Sequence, residues 1–306
     1  MTVHAHPDDE TIGTGGAMAK AIEAGHRVIL ITCTRGEQGE IVVPDMDTPE
    51  NHRRLGEIRA DELERAMAHL GVTEWENLGY RDSDMMGRPG NRDPRTFWQA
   101  DLDEAIGRLV WFVRRYQPDV ITTYNDFGGY GHPDHIRTHL VAVGAFERAG
   151  DAAWYPEQLA PEDGGTGSTR AEGGLAPWTA TKLYEQAIPA SVRQGMSDRL
   201  KELGQRSFWE PPEDATPEQI AEHEAYAAKM LVPDESITTW IDISGAPVDA
   251  KWAAIHEHVT QISDQSPFML MGLDGWRESW AKEAYVLRES RVETSLPETD
   301  LFAGVV

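Results

Sequence analysis

Two short windows of the sequence gather side chains that can hold a metal ion and move protons. The first is His4-Ala5-His6-Pro7-Asp8-Asp9-Glu10. The second is Gly128-Gly129-Tyr130-Gly131-His132-Pro133-Asp134-His135. Zn²⁺ binds imidazole nitrogen and carboxylate oxygen, and a catalytic site uses three protein ligands and keeps a place for water. His6 and Asp9 from the first window, with His135 from the second, supply such a His₂Asp set. Hydrolysis also needs a base, and Asp8 is adjacent. It needs an acid for the leaving group, and His132 is available. Asp134 can fix the tautomer and orientation of a neighbouring imidazole. A lone His or an Asp-Asp pair is usually a solvated turn or a helix cap. Two such clusters, each placed where a strand is expected to end, are harder to read that way.

The elements around the windows alternate. A strand is expected to end within 3–6, followed by a helix over 11–24. The run 27–33 (RVILITC) has the continuous apolar, β-branched character of a strand buried on both faces. Further expectations are a helix over 50–70, a strand at 75–78, a helix over 101–116, a strand at 119–124 and a helix over 135–149. Strands separated by helices imply right-handed βαβ units and a parallel sheet. In such sheets ligands bind outside the carboxyl ends of the strands, where both windows fall. Beyond residue 150 the expected elements are a strand at 182–188, helices at 191–204 and 217–230, a strand at 236–243, a helix over 247–259 and a last strand at 283–289. The fold class is therefore α/β. It is a Rossmann-like, mostly parallel sheet flanked by helices, with a smaller C-terminal α/β cap. Residues 1–150 form the catalytic core carrying both windows. Residues 151–306 complete the sheet and cap the site, the two parts making one integrated domain. The stretch 161–174 (PEDGGTGSTRAEGG) reads as a mobile low-complexity loop.

Composition narrows the function classes. The 306 residues carry 52 acidic and 28 basic side chains, a formal charge of −24. This argues against nucleic acid and anionic membrane as partners, since both need a basic surface. Cys33 is the single cysteine, so there is no intrachain disulfide framework and no zinc site of several thiolates. It sits inside an apolar run and is read as core. No apolar run approaches the roughly 18 residues of a membrane span. The beginning, MTVHAHPDDE, has neither the basic nor the apolar part of a signal peptide. A cytoplasmic protein is expected. His26, His52, His69, His223 and His256 are read as surface or packed histidines. His-Pro-Asp-Asp follows the first strand where a nucleotide-binding Rossmann protein has a glycine-rich turn. Gly13-Thr14-Gly15-Gly16 lies inside a helix pattern and is read as close packing.

At these residues the chain resembles the zinc-dependent LmbE/PIG-L de-N-acetylase family, through His4-Ala-His-Pro-Asp-Asp-Glu10 and Gly131-His-Pro-Asp-His135. Several other segments are similar to the mycothiol-biosynthesis branch of that family. They are Thr34-Arg-Gly-Glu-Gln-Gly-Glu40, Gly56-Glu-Ile-Arg59, Tyr80-Arg-Asp-Ser-Asp-Met-Met-Gly87, Phe97-Trp-Gln-Ala-Asp101, Gly128-Gly-Tyr130, His258-Val-Thr-Gln261 and Asp300-Leu-Phe-Ala-Gly304. The resemblance implies one Zn²⁺, with Fe²⁺ as the alternative, held by His6, Asp9 and His135. It implies Asp8 as general base, His132 as general acid, Tyr130 as a stabiliser of the tetrahedral oxyanion and Asp134 as a tuner of its neighbours. Glu40, Arg59 and Asp82 match positions that bind sugar and inositol hydroxyls. The implied reaction is removal of acetyl from an N-acetylglucosamine linked to inositol. A mycothiol S-conjugate amidase or another PIG-L-type N-acetylglucosamine deacetylase would share the same machinery, and an inactive sugar-binding module would share only the fold. The partner is a small amino sugar; the oligomeric state is not assigned.

Overall fold

The computed structural model describes residues 1–160, 174–207, 209–212 and 214–305. At its centre is β1 (Thr2–His4), with β2 (Ile29–Thr32) and β3 (Glu74–Asn77) stacked outward on one side, all parallel. β4 (Val120–Thr123) and β5 (Lys182–Pro189) continue the parallel sheet on the other side of β1. The short β6 (Leu231–Val232) pairs with the end of β5. β7 (Thr239–Asp242) and β8 (Lys282–Ser290) close the sheet, β8 antiparallel to β5 and β7 antiparallel to β8. The order is β3-β2-β1-β4-β5-β8-β7. The chain therefore moves one way from β1 to β3 and then crosses to the far side of β1. That crossing makes the carboxyl ends of β1 and β4 a topological switch point, the usual ligand crevice of such sheets. Both polar windows leave the sheet there.

The sequence builds this sheet from apolar strands that face helices on both sides. Val3, Ile29, Ile31, Ile121 and Leu183 pack with the helices Leu102–Tyr116 and Pro133–Arg148. Leu30 points the other way, into a layer with Met18, Leu63 and Met67 from the helices Asp9–Glu23 and Leu55–Leu70. The strand period of two thus assigns Ile29 and Ile31 to one face and Leu30 to the other. Cys33 is buried in the first of these layers, as expected, and burial pushes its thiol up.

Two expected helices differ from the structure. The stretch 50–70 is two helices, Pro49–Arg53 and Leu55–Leu70, parted at Arg54 (φ −111°, ψ 10°). The helix expected over 247–259 is Ala246–Ile255 and stops early. Past it, Glu62 accepts both the backbone N–H of Thr260 (2.8 Å) and its hydroxyl (2.7 Å). The helix Gly272–Ser279 was not anticipated. The expected loop 161–174 lies outside the described residues apart from Gly174.

Gly16 lies in the helix Asp9–Glu23 because nothing larger fits. A Cβ there would stand 2.3 Å from Ile243 Cδ1 and 2.9 Å from Ile243 Cβ. Gly13 is as tight, with Gln186 Oε1 2.0 Å from the position of its Cβ. In an open helix Gly→Ala would gain about 1 kcal/mol of propensity. At Gly16 overpacking, typically about 1–3 kcal/mol, works against that gain. Gly16→Ala is expected to lower the urea midpoint with an unchanged m-value. A raised midpoint would show that Ile243 yields without strain.

Candidate active site

β1 hands the chain directly into Ala5-His6-Pro7-Asp8, and the helix Asp9–Glu23 starts at once. Asp8 is its N-cap, at φ 113° and ψ −36°, a conformation that non-glycine residues rarely adopt. β4 leads through Tyr124 and Asn125 to a glycine-rich turn and then to the helix Pro133–Arg148, capped by His132. His135 therefore stands in that helix's first turn, facing the end of β1. Gly128 (φ 66°) must be glycine here, since a Cβ would lie 2.6 Å from His135 Cβ.

Three donor atoms converge between the two turns. His6 Nδ1 is 3.2 Å from Asp9 Oδ2 and 3.3 Å from His135 Nε2, and His135 Nε2 is 3.3 Å from Asp9 Oδ2. Donors about 2.0–2.1 Å from a tetrahedral Zn²⁺ would be about 3.3–3.4 Å apart. The triangle therefore fits a zinc-sized ion with one corner left for water. The outer nitrogen of each imidazole is also committed. His6 Nε2 donates to Asp134 Oδ2 (3.2 Å), and His135 Nδ1 donates to the carbonyl of Gly128 (3.1 Å). Such partners fix the tautomer that turns a lone pair towards the metal. Asp134 is itself held by the N–H of Ser83 (2.9 Å). Two other groups of donor atoms, His6/His132/His135 and His6/Asp82/Asp134, fall within 4.8 Å. The second relies on His6 Nε2, whose proton already goes to Asp134. The first has no carboxylate, whereas the His6–Asp9–His135 triangle has one, with all three donor distances at 3.2–3.3 Å.

Charges in the site follow from burial and proximity. Burial alone would raise Asp9, but the charges and hydrogen bonds of His135 and His6 hold its carboxyl well below the usual range. Burial would lower His6, but Asp82, Asp134 and Asp9 together hold it well above the usual imidazole value. Burial raises Asp8 to about 6, reinforced by Asp9 and Glu10 and opposed by Arg59. Burial, with His6 and His135 beside it, lowers His132 to about 2. Burial also keeps Tyr130 a neutral phenol. Its hydroxyl is 3.5 Å from His135 Nε2, at the edge of the donor triangle.

The residues expected to touch substrate are placed as follows. Arg59 is buried; it donates to the carbonyls of Gly36 (2.9 Å) and Pro7 (2.5 Å), and its guanidinium lies 3.2 Å from Asp8 Oδ1. Its Nε is buried without a hydrogen-bond partner. Asp82 is buried and accepts the N–H groups of Gln38 (3.1 Å) and Asp84 (2.8 Å). Glu40 is exposed, and its carbonyl accepts from Gln261 (3.0 Å). All three line the same cavity of about 990 Å³ as the donor triangle, together with Asp8, Tyr130 and His132. The far wall is apolar, with Met196, Trp209, Tyr226 and Met230 around the helices Ala190–Glu202 and Pro217–Met230. His223, expected at the surface or packed, lines this wall.

The sequence did not disclose the buried supports. Tyr124 accepts the N–H of Ala5 (2.9 Å), lies 3.2 Å from His4 Nδ1 and stacks on His135 with ring centroids 4.3 Å apart. His4 also reaches Thr14 (2.9 Å) and is lowered to about 4 by burial, so it braces the turn from behind. His139 donates to the carbonyl of Tyr124 (2.9 Å).

The arrangement defines a class: a His/Asp site able to hold a divalent ion at the switch point of a mostly parallel α/β sheet. Residues 1–146 match the PIG-L family, described as GlcNAc-PI de-N-acetylase. A relative from Geodermatophilus obscurus is 40% identical over 313 residues, covering 100% of this chain and 97% of the relative. It is named 1D-myo-inositol 2-acetamido-2-deoxy-alpha-D-glucopyranoside deacetylase. The chain belongs to the PIG-L family. Among solved structures, N,N'-diacetylchitobiose deacetylase from Pyrococcus horikoshii superposes with a TM-score of 0.57 at 19% identity, covering 94% of this chain and 82% of that one. GalB, the 4-carboxy-2-hydroxymuconate hydratase of Pseudomonas putida KT2440, gives 0.53 at 20% identity, covering 96% and 98%. A deacetylase and a hydratase share this architecture, so the fold alone does not choose the chemistry.

Proposed function

We propose that this protein is a zinc-dependent deacetylase. It hydrolyses the N-acetyl group of 1D-myo-inositol 2-acetamido-2-deoxy-α-D-glucopyranoside to acetate and the free amine, in mycothiol biosynthesis. The observation that carries the reading is the His6–Asp9–His135 triangle with Asp8 beside it, in a chain 40% identical from end to end to a relative named for that reaction. Zn²⁺ in the triangle would polarise the amide carbonyl and lower the pKa of bound water to about 7; Fe²⁺ fits the same donors. Asp8 takes the proton of the attacking water. Glu40, Arg59 and Asp82 bind the sugar and inositol hydroxyls. Residues 1–150 and 151–306 act as one unit, the second part walling the cavity.

His132 takes a different role from the one expected. Its Nδ1 accepts the N–H of Asp134 (3.1 Å), so the ring carries its proton on Nε2 and is neutral. A neutral ring with that tautomer donates one hydrogen bond and has no second proton to give. His132 and the Tyr130 hydroxyl are therefore the donors to the developing oxyanion. Asp8 returns its proton to the nitrogen as the C–N bond breaks. His132→Ala should lower kcat by about 10²–10³, the scale for an oxyanion donor, and leave the alkaline limb of kcat against pH in place. Loss of that limb would restore His132 as the acid.

The apolar far wall favours a second reading, amidase action on a mycothiol S-conjugate, whose larger acyl group would occupy it. A panel that follows amine release by the zinc-loaded enzyme separates the two. Faster turnover of acetylated glucosaminyl-inositol than of a bimane conjugate of mycothiol supports the deacetylase; the reverse order overturns it. No helix among the described residues is long and apolar enough to cross a membrane, and we place the enzyme in the cytoplasm.

A further inference from the structure

Asp8 holds a backbone conformation that a non-glycine residue does not keep unaided (φ 113°). Such positions persist only where the surroundings over-determine them. On one side Arg59 ties down the carbonyl of Pro7 and the Asp8 carboxylate. On the other, Glu10 is fully buried and its Oε2 accepts the Asp8 N–H at 2.9 Å. The second oxygen of Glu10 accepts from the Thr11 hydroxyl (2.8 Å) and from His258 Nε2 (3.1 Å). His258 is also fully buried and comes from the turn beyond the helix Ala246–Ile255. Its Nδ1 is buried without a hydrogen-bond partner, so its hydrogen bonds run through Nε2 to Glu10 and Thr11. No hydrogen bond of the Glu10 carboxylate among the described residues goes to His6, Asp9 or His135.

We infer that Glu10 and His258 are positioning residues for Asp8: His258 fixes the Glu10 carboxylate, which fixes the Asp8 amide and thereby aims the Asp8 side chain. The inference deepens the deacetylase reading and rests on it for its kinetic arm. Glu10 fills the role that a cap plays at a helix start, satisfying an amide there, but it does so from inside the helix and under the control of a distant segment. A shift of about 1 Å in a catalytic group can cost about 10²-fold in rate. The contact would therefore set kcat while leaving the metal triangle untouched.

The test compares His258→Gln, whose amide nitrogen reaches about as far as Nε2, with His258→Asn, whose amide falls short. The Asn variant is expected to bind one zinc per chain, keep KM within about twofold of wild type and lose about 10²-fold in kcat. The Gln variant is expected to recover most of that loss. A crystal structure of the Asn variant should show Asp8 relaxed away from positive φ, with His6, Asp9 and His135 in place. Should the Asn variant not fold, Glu10→Asp, which shortens the reach to the Asp8 amide, is read in the same way. Equal kcat in the Asn and Gln variants, high or low, overturns the inference, and so does Asp8 unchanged at positive φ. A wild-type enzyme that releases no amine from the acetylated substrate overturns the deacetylase reading instead, and the φ of Asp8 still decides the positioning.

Discussion

An Asp9→Ala protein is expected to lose its zinc and its activity together. Asp9 Oδ2 stands 3.2 and 3.3 Å from the two imidazole nitrogens of the triangle. It also accepts the backbone N–H of His6 (2.9 Å). Removing it takes away the only anionic ligand, strands that buried N–H and leaves two imidazoles facing each other at 3.3 Å. Changes to partners one step behind a metal ligand cost about 10–100-fold in affinity. Loss of one of three ligands should exceed that. Zinc measured by plasma emission spectroscopy after dialysis should be far below one per chain, and turnover should fall with it. The competing His6/His132/His135 grouping makes the opposite forecast: Asp9→Ala would keep the metal and His132→Ala would lose it. One equivalent of zinc held by Asp9→Ala as tightly as by wild type would remove Asp9 from the ligand set.

What the sequence disclosed and what it hid have different physical origins. The strand runs and the two polar windows were legible because each is a local pattern. RVILITC reads as a doubly buried strand, and His-Pro-Asp-Asp and His-Pro-Asp-His lie at the ends of such strands. The meeting of the windows followed from the strand order, because β1 and β4 are neighbours across the switch point. The supports were not legible, because they depend on pairings over long stretches of chain. His258 falls in a stretch that reads as helical over 247–259; the resemblance marks its segment but gives it no role. In the structure the helix ends at Ile255, Thr260 is bound by Glu62, and His258 faces Glu10. Tyr124 is just past β4 and reads as one more apolar residue. Its hydroxyl acts on Ala5, 119 residues away. Arg59 shows the same limit: the resemblance marks its position, but only the structure shows it buried against Pro7 and Asp8.

Asp8→Asn is expected to separate binding of the metal from chemistry. Asn has the shape of Asp, tolerates positive φ better than most residues and can still accept from Arg59 through Oδ1. The turn, and with it the placement of His6 and Asp9, should survive. What is lost is the ability to take a proton. In the reading above Asp8 acts twice, first on the attacking water and then towards the departing nitrogen, so both transfers fail in the variant. Removing a general base alone costs about 10²–10⁴, and the expected fall in kcat lies at the upper end of that range. KM should change little, since a proton in flight is a feature of the transition state and not of substrate binding. Zinc content should stay near one per chain, in contrast to Asp9→Ala. The neighbouring positions 8 and 9 then give opposite results for metal and similar results for activity. Two other outcomes are decisive against the assignment. Turnover within a few fold of wild type would move the base role away from Asp8. Loss of zinc in Asp8→Asn would mean that Asp8 supports the ligand turn itself, and that its apparent role in proton transfer is a consequence of a broken site.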